Sequence, residues 1–282
     1  MASASIISVI GTTDQESTGT SSDQAACLTG RPIHPRRGVR VSDPTKAFTS
    51  DSEFPPVTVA ILVCPGYIPA DIIGVHTLFG TTPNAEVHLV WKDLDEVIGF
   101  PTYPTRPTTT FAECPENPDV LWTGAVAPEM FDDEETLDFL ADRGSRARWV
   151  GGNCGGTLLL GAAGLLRGYR ATCNFQQKDL LTHFGAVPAD GNVVVDRNRI
   201  TAGPLTGSIE AGLWLAREFY GEDFAREMEL QSEYAPEPLF GVGRPDLAGP
   251  ELTRRALDNA AAMTRPYVEV IERAAKRLAA AV

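Results

Sequence analysis

The 282-residue sequence is poor in histidine, and its four copies (His34, His76, His88, His183) show no metal-ligand spacing. A zinc site, which needs His and Cys grouped at short intervals, is therefore not expected. The five cysteines (Cys27, Cys64, Cys114, Cys154, Cys173) are odd in number and contain no C-x-x-C. That pattern excludes a disulfide framework and suits a reducing, cytoplasmic compartment. No run of about 18 apolar residues occurs, so no membrane span is expected. Positive charge is scarce: 24 Lys and Arg against 37 Asp and Glu leave a net charge of −13. Such a balance argues against nucleic acids and anionic membranes as partners and leaves a small molecule. The glycines near residue 151 are followed by no Lys-Ser/Thr pair and show no G-x-G-x-x-G spacing. A P-loop and a dinucleotide fingerprint are both absent.

Hydrophobic residues make up 43% of the chain, enough for a full core. Residues 1–54 are instead rich in Ser, Thr, Asp and Pro and read as a disordered tail. The first ten residues lack a basic region, so a signal peptide is not expected. From Val57 onward, short apolar runs alternate with helical patterns. Val57-Thr58-Val59-Ala60-Ile61-Leu62-Val63 suits a strand buried on both faces. Further strands are expected over residues 86–91, 119–122, 148–152, 169–173, 193–196 and 199–202. Helices are expected over 132–146, 157–166, 176–184, 205–220 and 222–230. This alternation predicts an α/β fold, one doubly wound domain over residues 55–250 with a mostly parallel sheet and helices on both faces. Residues 251–282 read as a C-terminal helix packed on or extending that domain, its basic residues on a solvated surface.

The chain is organised around Arg148-Trp149-Val150-Gly151-Gly152-Asn153-Cys154-Gly155-Gly156-Thr157. A short strand enters a knot of glycines and a helix leaves it, with Cys154 at the turn. Glycine tolerates the backbone geometry such an elbow needs, and the elbow presents its central side chain above the sheet edge. The helix N-terminus behind the sulfur is expected to lower the thiol pKa. Asp71 lies in the first turn of the helix that follows the first strand. Ligand sites of parallel α/β sheets lie beyond the carboxyl ends of the strands, where both Asp71 and Cys154 fall.

Several stretches resemble the DJ-1/PfpI superfamily, the flavodoxin-like relatives of class I glutamine amidotransferases, and within it the isonitrile hydratases. They are Asp71-Ile72-Ile73-Gly74, Val87-His88-Leu89-Val90-Trp91-Lys92, Pro107-Thr108-Thr109-Thr110-Phe111-Ala112, Leu160-Gly161-Ala162-Ala163-Gly164-Leu165-Leu166, Asp196-Arg197-Asn198 and Glu233-Tyr234-Ala235-Pro236. The resemblance implies a flavodoxin-like fold and a homodimer packed across the active-site edge. It implies a cofactor-free lyase or hydratase in which Cys154 is the nucleophile and Asp71 the partner carboxylate. Such an enzyme adds water to a terminal isonitrile carbon and gives an N-substituted formamide. Backbone N–H groups at Gly124, Ala125 and Gly155 are the expected oxyanion donors. An apolar setting is expected to raise the Asp71 pKa and suit it to proton transfer.

The sequence departs from the hydratases at four places around one pocket. Gly155 stands where they have Thr, Ala125 replaces a Gly, Asn174-Phe175 replaces His-Trp, and Pro204 breaks a glycine run. These changes point to a different small, largely apolar, electrophilic substrate. Trp122, Asn174 and Phe175 are the expected selectors, with Asn174 facing a carbonyl or hydroxyl on the substrate unless it merely caps a helix. Peptidase relatives carry His directly after the Cys, and amidotransferases need a late His that is missing here. Two alternatives stay open: a biosynthetic cyclase or rearrangement enzyme using Asp71 alone as acid and base, and a non-enzymatic redox-sensing or ligand-binding protein.

Overall fold

The structure, a computed structural model, describes residues 54–280. The tail expected over residues 1–54 lies outside the described residues apart from Phe54. In chain order the elements are β1 (Val57–Leu62), α1 (Ala70–Gly80), β2 (Ala85–Trp91), β3 (Val97–Gly99), β4 (Tyr103–Thr105), β5 (Thr109–Thr110) and β6 (Val120–Thr123). Then come α2 (Glu134–Arg146), β7 (Trp149–Asn153), α3 (Gly156–Ala162), β8 (Arg170–Ala171), β9 (Val187–Pro188), β10 (Val193–Asp196) and β11 (Arg199–Ala202). The chain closes with α4 (Gly207–Tyr220), α5 (Glu222–Gln231) and α6 (Pro245–Ala280).

Seven strands form one sheet in the order β10-β11-β7-β6-β1-β2-β5. Every neighbouring pair is parallel except β10 with β11. β1, β6 and β7 are buried almost throughout, which explains why their sequences are mainly apolar or glycine and do not alternate with charged residues. From β1 the chain steps outward to β2, then returns across β1 to β6. This reversal opens a crevice at the carboxyl ends of β1 and β6, the usual place for a ligand in such sheets.

Helices cover the sheet in two layers: α1 with α4, and α2 with α3 and α6. α1 and α4 approach closely because Gly74 has no side chain. A Cβ there would collide with the Ser208–Ile209 backbone. Ser208 Oγ fills the contact, accepting from Gly74 N–H at 3.2 Å and donating to the Ala70 carbonyl at 2.8 Å. The first turn of α1, which carries Asp71, is fixed by that contact. The doubly wound, flavodoxin-like α/β architecture is the one expected from the sequence.

Several local expectations are corrected. The helix after the elbow stops at Ala162 instead of running to 166. Gly164 takes a φ of +78°, and the N–H groups of Leu165 and Gly164 bond back to the carbonyls of Leu160 and Gly161. That pairing is a Schellman ending, which outweighs the helix-compatible residues beyond it. The helix expected over 176–184 is a shorter 3-10 turn, Lys178–Phe184, and the strand expected over 169–173 is only Arg170–Ala171. α6, by contrast, packs on the domain as the sequence allowed. Val270, Ile271 and Ala274 are buried, and Tyr267 Oη donates to the Val126 carbonyl at 2.7 Å. Arg273 and Arg277 both reach Asp132.

Candidate active site

Cys154 follows β7 with a φ of +52°. Left-handed backbone is costly for a residue with a Cβ and is retained where the surroundings enforce it. Here the enforcement is visible. A Cβ on Gly156 would strike the carbonyl oxygens of Thr123 and Gly124, and one on Gly152 would lie 2.9 Å from the Thr123 oxygen. The elbow is therefore pressed against the end of β6. Cys154 N–H donates to the Ala202 carbonyl at 3.1 Å, which ties it to β11 as well. Cys154 is partly exposed as a residue, while Cys64, Cys114 and Cys173 are buried.

Asp71 is fully buried, at 0% exposure, although it is charged at its ordinary pKa. Its carboxylate is held from three directions. Ala125 N–H donates to Oδ2 at 2.9 Å. Leu205 N–H donates to Oδ1 at 2.7 Å, and Asn153 Nδ2 donates to the same oxygen at 3.2 Å. The Cys154 thiol lies close enough to this carboxylate for each group to shift the pKa of the other. The sequence thus brings its expected pair together through segments that are far apart in the chain.

The electrostatics of the pair differ from the sequence expectation in one half. Burial raises the Asp71 pKa, and the hydrogen bonds from Ala125, Leu205, Cys154 and Asn153 only partly oppose it. That is the expected direction. The Cys154 thiol was expected to be acidified, yet it is pushed up to about 12. Burial is the main cause and the Asp71 charge the second, while the Gly155 N–H and Asn174 amide pull weakly the other way. The α3 helix has only seven residues, and its N-terminal field is outweighed by desolvation and a facing carboxylate. At neutral pH the thiol therefore keeps its proton, beside a carboxyl group whose own affinity for a proton is raised by burial.

The other expected site residues fall into two groups. Gly155 N–H acts on the thiol by lowering its pKa, against the larger effect of burial. Ala125 N–H is already committed to Asp71, so it does not serve as a free oxyanion donor. Gly124 is a point of close approach, since a Cβ there would lie 2.6 Å from that of Asp71. Trp122 does not line the pocket. It is 0% exposed, its indole N–H donates to the Asp71 carbonyl at 3.0 Å, and its ring lies over Gly151. The strand residue points into the core because β6 is covered on both faces, and Trp122 supports Asp71 from beneath. Asn174 does approach the sulfur, with Nδ2 3.6 Å from Cys154 Sγ and 2.8 Å from Gln177 Oε1. It makes no side-chain cap on the following 3-10 turn. Phe175, next to it, is 38% exposed.

Sequence reasoning missed Asn153, Leu205, Gln177 and Tyr267. Asn153 carried a signal, being the one polar residue of the strand that enters the elbow. Leu205 carried a fainter one: it follows Gly203-Pro204 and takes a φ of +58° that aims its N–H at Asp71. Tyr267 carried none. Its pKa is pushed up to about 12, chiefly by burial, and its bond to the Val126 carbonyl sets the C-terminal helix against the segment that follows β6 and holds Asp71 through Ala125. Among the described residues no group of three or more His, Cys, Asp or Glu is placed to hold a metal ion. No described helix is long and apolar enough to cross a membrane.

Comparison with known proteins gives a consistent result. The sequence profile described as the DJ-1/PfpI family matches residues 57–218. The chain is 40% identical over 222 residues to the isonitrile hydratase of Pseudomonas putida, covering 78% of this chain and 97% of that one. A crystal structure of a THiJ/PfpI family protein from Pseudomonas syringae superposes with a TM-score of 0.74 at 35% identity, over 79% of this chain and 91% of that one. Drosophila melanogaster DJ-1beta, at 19% identity, shares the fold with a TM-score of 0.57 over 64% of this chain and 100% of its own.

Proposed function

The chain belongs to the DJ-1/PfpI family, and from that premise we propose that it is a hydratase of the isonitrile hydratase type acting on a small electrophilic molecule. The observation that carries the proposal is the Cys154 thiol set beside a buried carboxyl group of raised pKa, each shifting the other. A thiol at pKa about 12 cannot attack as a free thiolate at neutral pH. It needs a base in contact, and Asp71 is that base.

The steps balance around one proton. Sulfur attacks the terminal isonitrile carbon as its proton passes to Asp71 and on to that carbon, giving a thioimidate, R–N=CH–S. Water then adds across the C=N bond, its oxygen to carbon and a proton through Asp71 to nitrogen. Collapse of the tetrahedral adduct breaks the C–S bond and leaves the formamide R–NH–CHO. The hydroxyl proton returns through Asp71 to sulfur. Asp71 alternates between acceptor and donor, which a raised pKa favours near neutral pH. Gly155 N–H faces the sulfur and so steadies it as the leaving group. The same reading takes the protein as a cytoplasmic homodimer that needs no cofactor.

A second reading is favoured by the raised thiol pKa: Asp71 performs acid–base chemistry alone and Cys154 is a bystander. Turnover by Cys154→Ala and Asp71→Asn separates the two. Loss of the isonitrile stretch in the infrared, with formamide appearing by NMR, reports the reaction. The hydratase reading expects a drop of about a thousandfold or more in both variants. A drop in Asp71→Asn alone selects the second reading. Wild-type protein that converts no isonitrile refutes the first.

A further inference from the structure

The amide beside the sulfur is only half used. Asn174 is 7% exposed. Its Nδ2 is engaged twice, by Gln177 Oε1 at 2.8 Å and Cys154 Sγ at 3.6 Å. An amide nitrogen has two hydrogens to give, so its donor capacity is spent. Its Oδ1 is buried and has no hydrogen-bond partner among the described residues. Buried carbonyl oxygens are normally paired, and one left alone has lost its water without replacement.

This oxygen is close to the chemistry. The oxygen and nitrogen of one amide lie about 2.2 Å apart, from bond lengths of about 1.23 and 1.33 Å. With Nδ2 at 3.6 Å from the sulfur, Oδ1 lies within about 6 Å of it. The missing side chain at Gly155 leaves room nearby. A Cβ there would meet only Ala125 at 3.4 and 3.6 Å and Gln177 Oε1 at 4.0 Å.

We infer that Asn174 Oδ1 is a substrate-recognition acceptor, and that the preferred substrate carries a hydrogen-bond donor, a hydroxyl or N–H, two to three atoms from the isonitrile nitrogen. Residue type alone allowed a carbonyl partner as well. The commitment of Nδ2 removes that option, because a substrate carbonyl or ether would set two acceptors against each other. In an S–C–N–C–C–O chain the oxygen sits roughly 5 to 6 Å from sulfur, from ordinary bond lengths. From there a contact of about 2.7 to 3.0 Å to Oδ1 is within reach. The isonitrile in this statement rests on the hydratase reading above, whereas the donor rests on Asn174.

Three near-isosteric probes test it: 2-hydroxyethyl, 2-methoxyethyl and n-propyl isonitrile, assayed with wild type and Asn174→Leu. The expected wild-type kcat/KM is about tenfold or more higher for the hydroxyethyl compound than for either other probe. In Asn174→Leu the ratio falls to within about threefold. A merely structural role would lower all three rates together and keep the ratio. If the variant fails to fold, the wild-type ratio still decides. A wild-type protein that handles the propyl and hydroxyethyl probes equally overturns the inference and leaves the hydratase reading standing. If no isonitrile reacts, that reading fails. Thermal shift with N-(2-hydroxyethyl)formamide against N-(2-methoxyethyl)formamide then decides: a larger shift by the hydroxyl compound supports the donor site, and an equal or absent shift overturns it.

Discussion

Alkylation of Cys154 gives the most direct measure of how the thiol and carboxylate are coupled. Burial, and then the Asp71 charge, push the thiol up from 9.0 to about 12. At a given pH that lowers the thiolate fraction by about a thousandfold. A more basic thiolate is intrinsically more nucleophilic, with a Brønsted slope of about 0.4 to 0.5, and so recovers part of the loss. Iodoacetamide should therefore label Cys154 at pH 7.5 about 30 to 60 times more slowly than it labels a free peptide thiol, before any further slowing by limited access. Asp71→Asn removes the second-largest cause of the rise, the carboxylate charge. A tenfold gain in thiolate, at the low end of what a neighbouring charge does, should speed labelling about three- to fourfold once the lower nucleophilicity is included. Comparing the variant with wild type cancels reagent access, which burial also limits. Peptide mapping by mass spectrometry over pH 7 to 11 gives both rates. The linkage sign is fixed by the direction of the shift. A raised thiol pKa adds stability at pH below 9.0 that is lost as pH rises toward about 12, so alkaline unfolding should accompany the fastest labelling. Wild-type labelling as fast as a free thiol, unchanged in Asp71→Asn, would refute the desolvated, proton-holding pair.

Two further outcomes follow from the packing around the site. Gly155→Thr should fold with a melting temperature within a few degrees of wild type, because its backbone is helical and the added Cβ meets only ordinary contacts. Gly156→Ala, facing two carbonyl oxygens, should lose about 3 kcal/mol or fail to fold, and thermal denaturation of the pair of variants checks both. At the C-terminal helix, Tyr267→Phe removes the bond to the Val126 carbonyl and should cost about 1 kcal/mol in a urea titration. The Asp132 pKa is lowered, first by its hydrogen bond from Arg273. Its contribution is therefore present above the ordinary aspartate range and disappears as pH falls below it. Solvent exposure keeps that contribution under about 1 kcal/mol.

The fold was legible because its signals are local and repeated. Unbroken apolar strands such as Val57–Leu62 and the glycines at 151, 152, 155 and 156 announce a parallel sheet and an elbow without reference to distant residues. Cys154 and Asp71 were legible for the same reason, each marked by its place after a strand. What was not legible depends on long-range geometry. Trp122 looks like a pocket wall in sequence, and only the cover on both faces of β6 turns it into a support for the Asp71 carbonyl. The thiol pKa depends on a carboxylate 83 positions away in the chain, which no local rule about helix ends contains. Leu205 and Tyr267 are apolar or aromatic residues among many, and only their backbone angle or packing gives them a place near the site.

The three N–H groups around Asp71 have a consequence for how the protein reaches working order. They come from residues 54, 82 and 134 positions away, at the ends of β6, β7 and β11, while the carboxylate follows β1. Contacts of such separation form late, after the loops between them have closed. Until the last strand end arrives, a carboxylate out of water lacks a donor, which opposes its burial. The sheet edge consequently closes as one cooperative event, and a chain with any of these four ends loosened has no half-competent site. Hydrogen exchange at the amides of Ala125 and Leu205 should then occur only through opening of the whole edge, at one common rate-determining free energy.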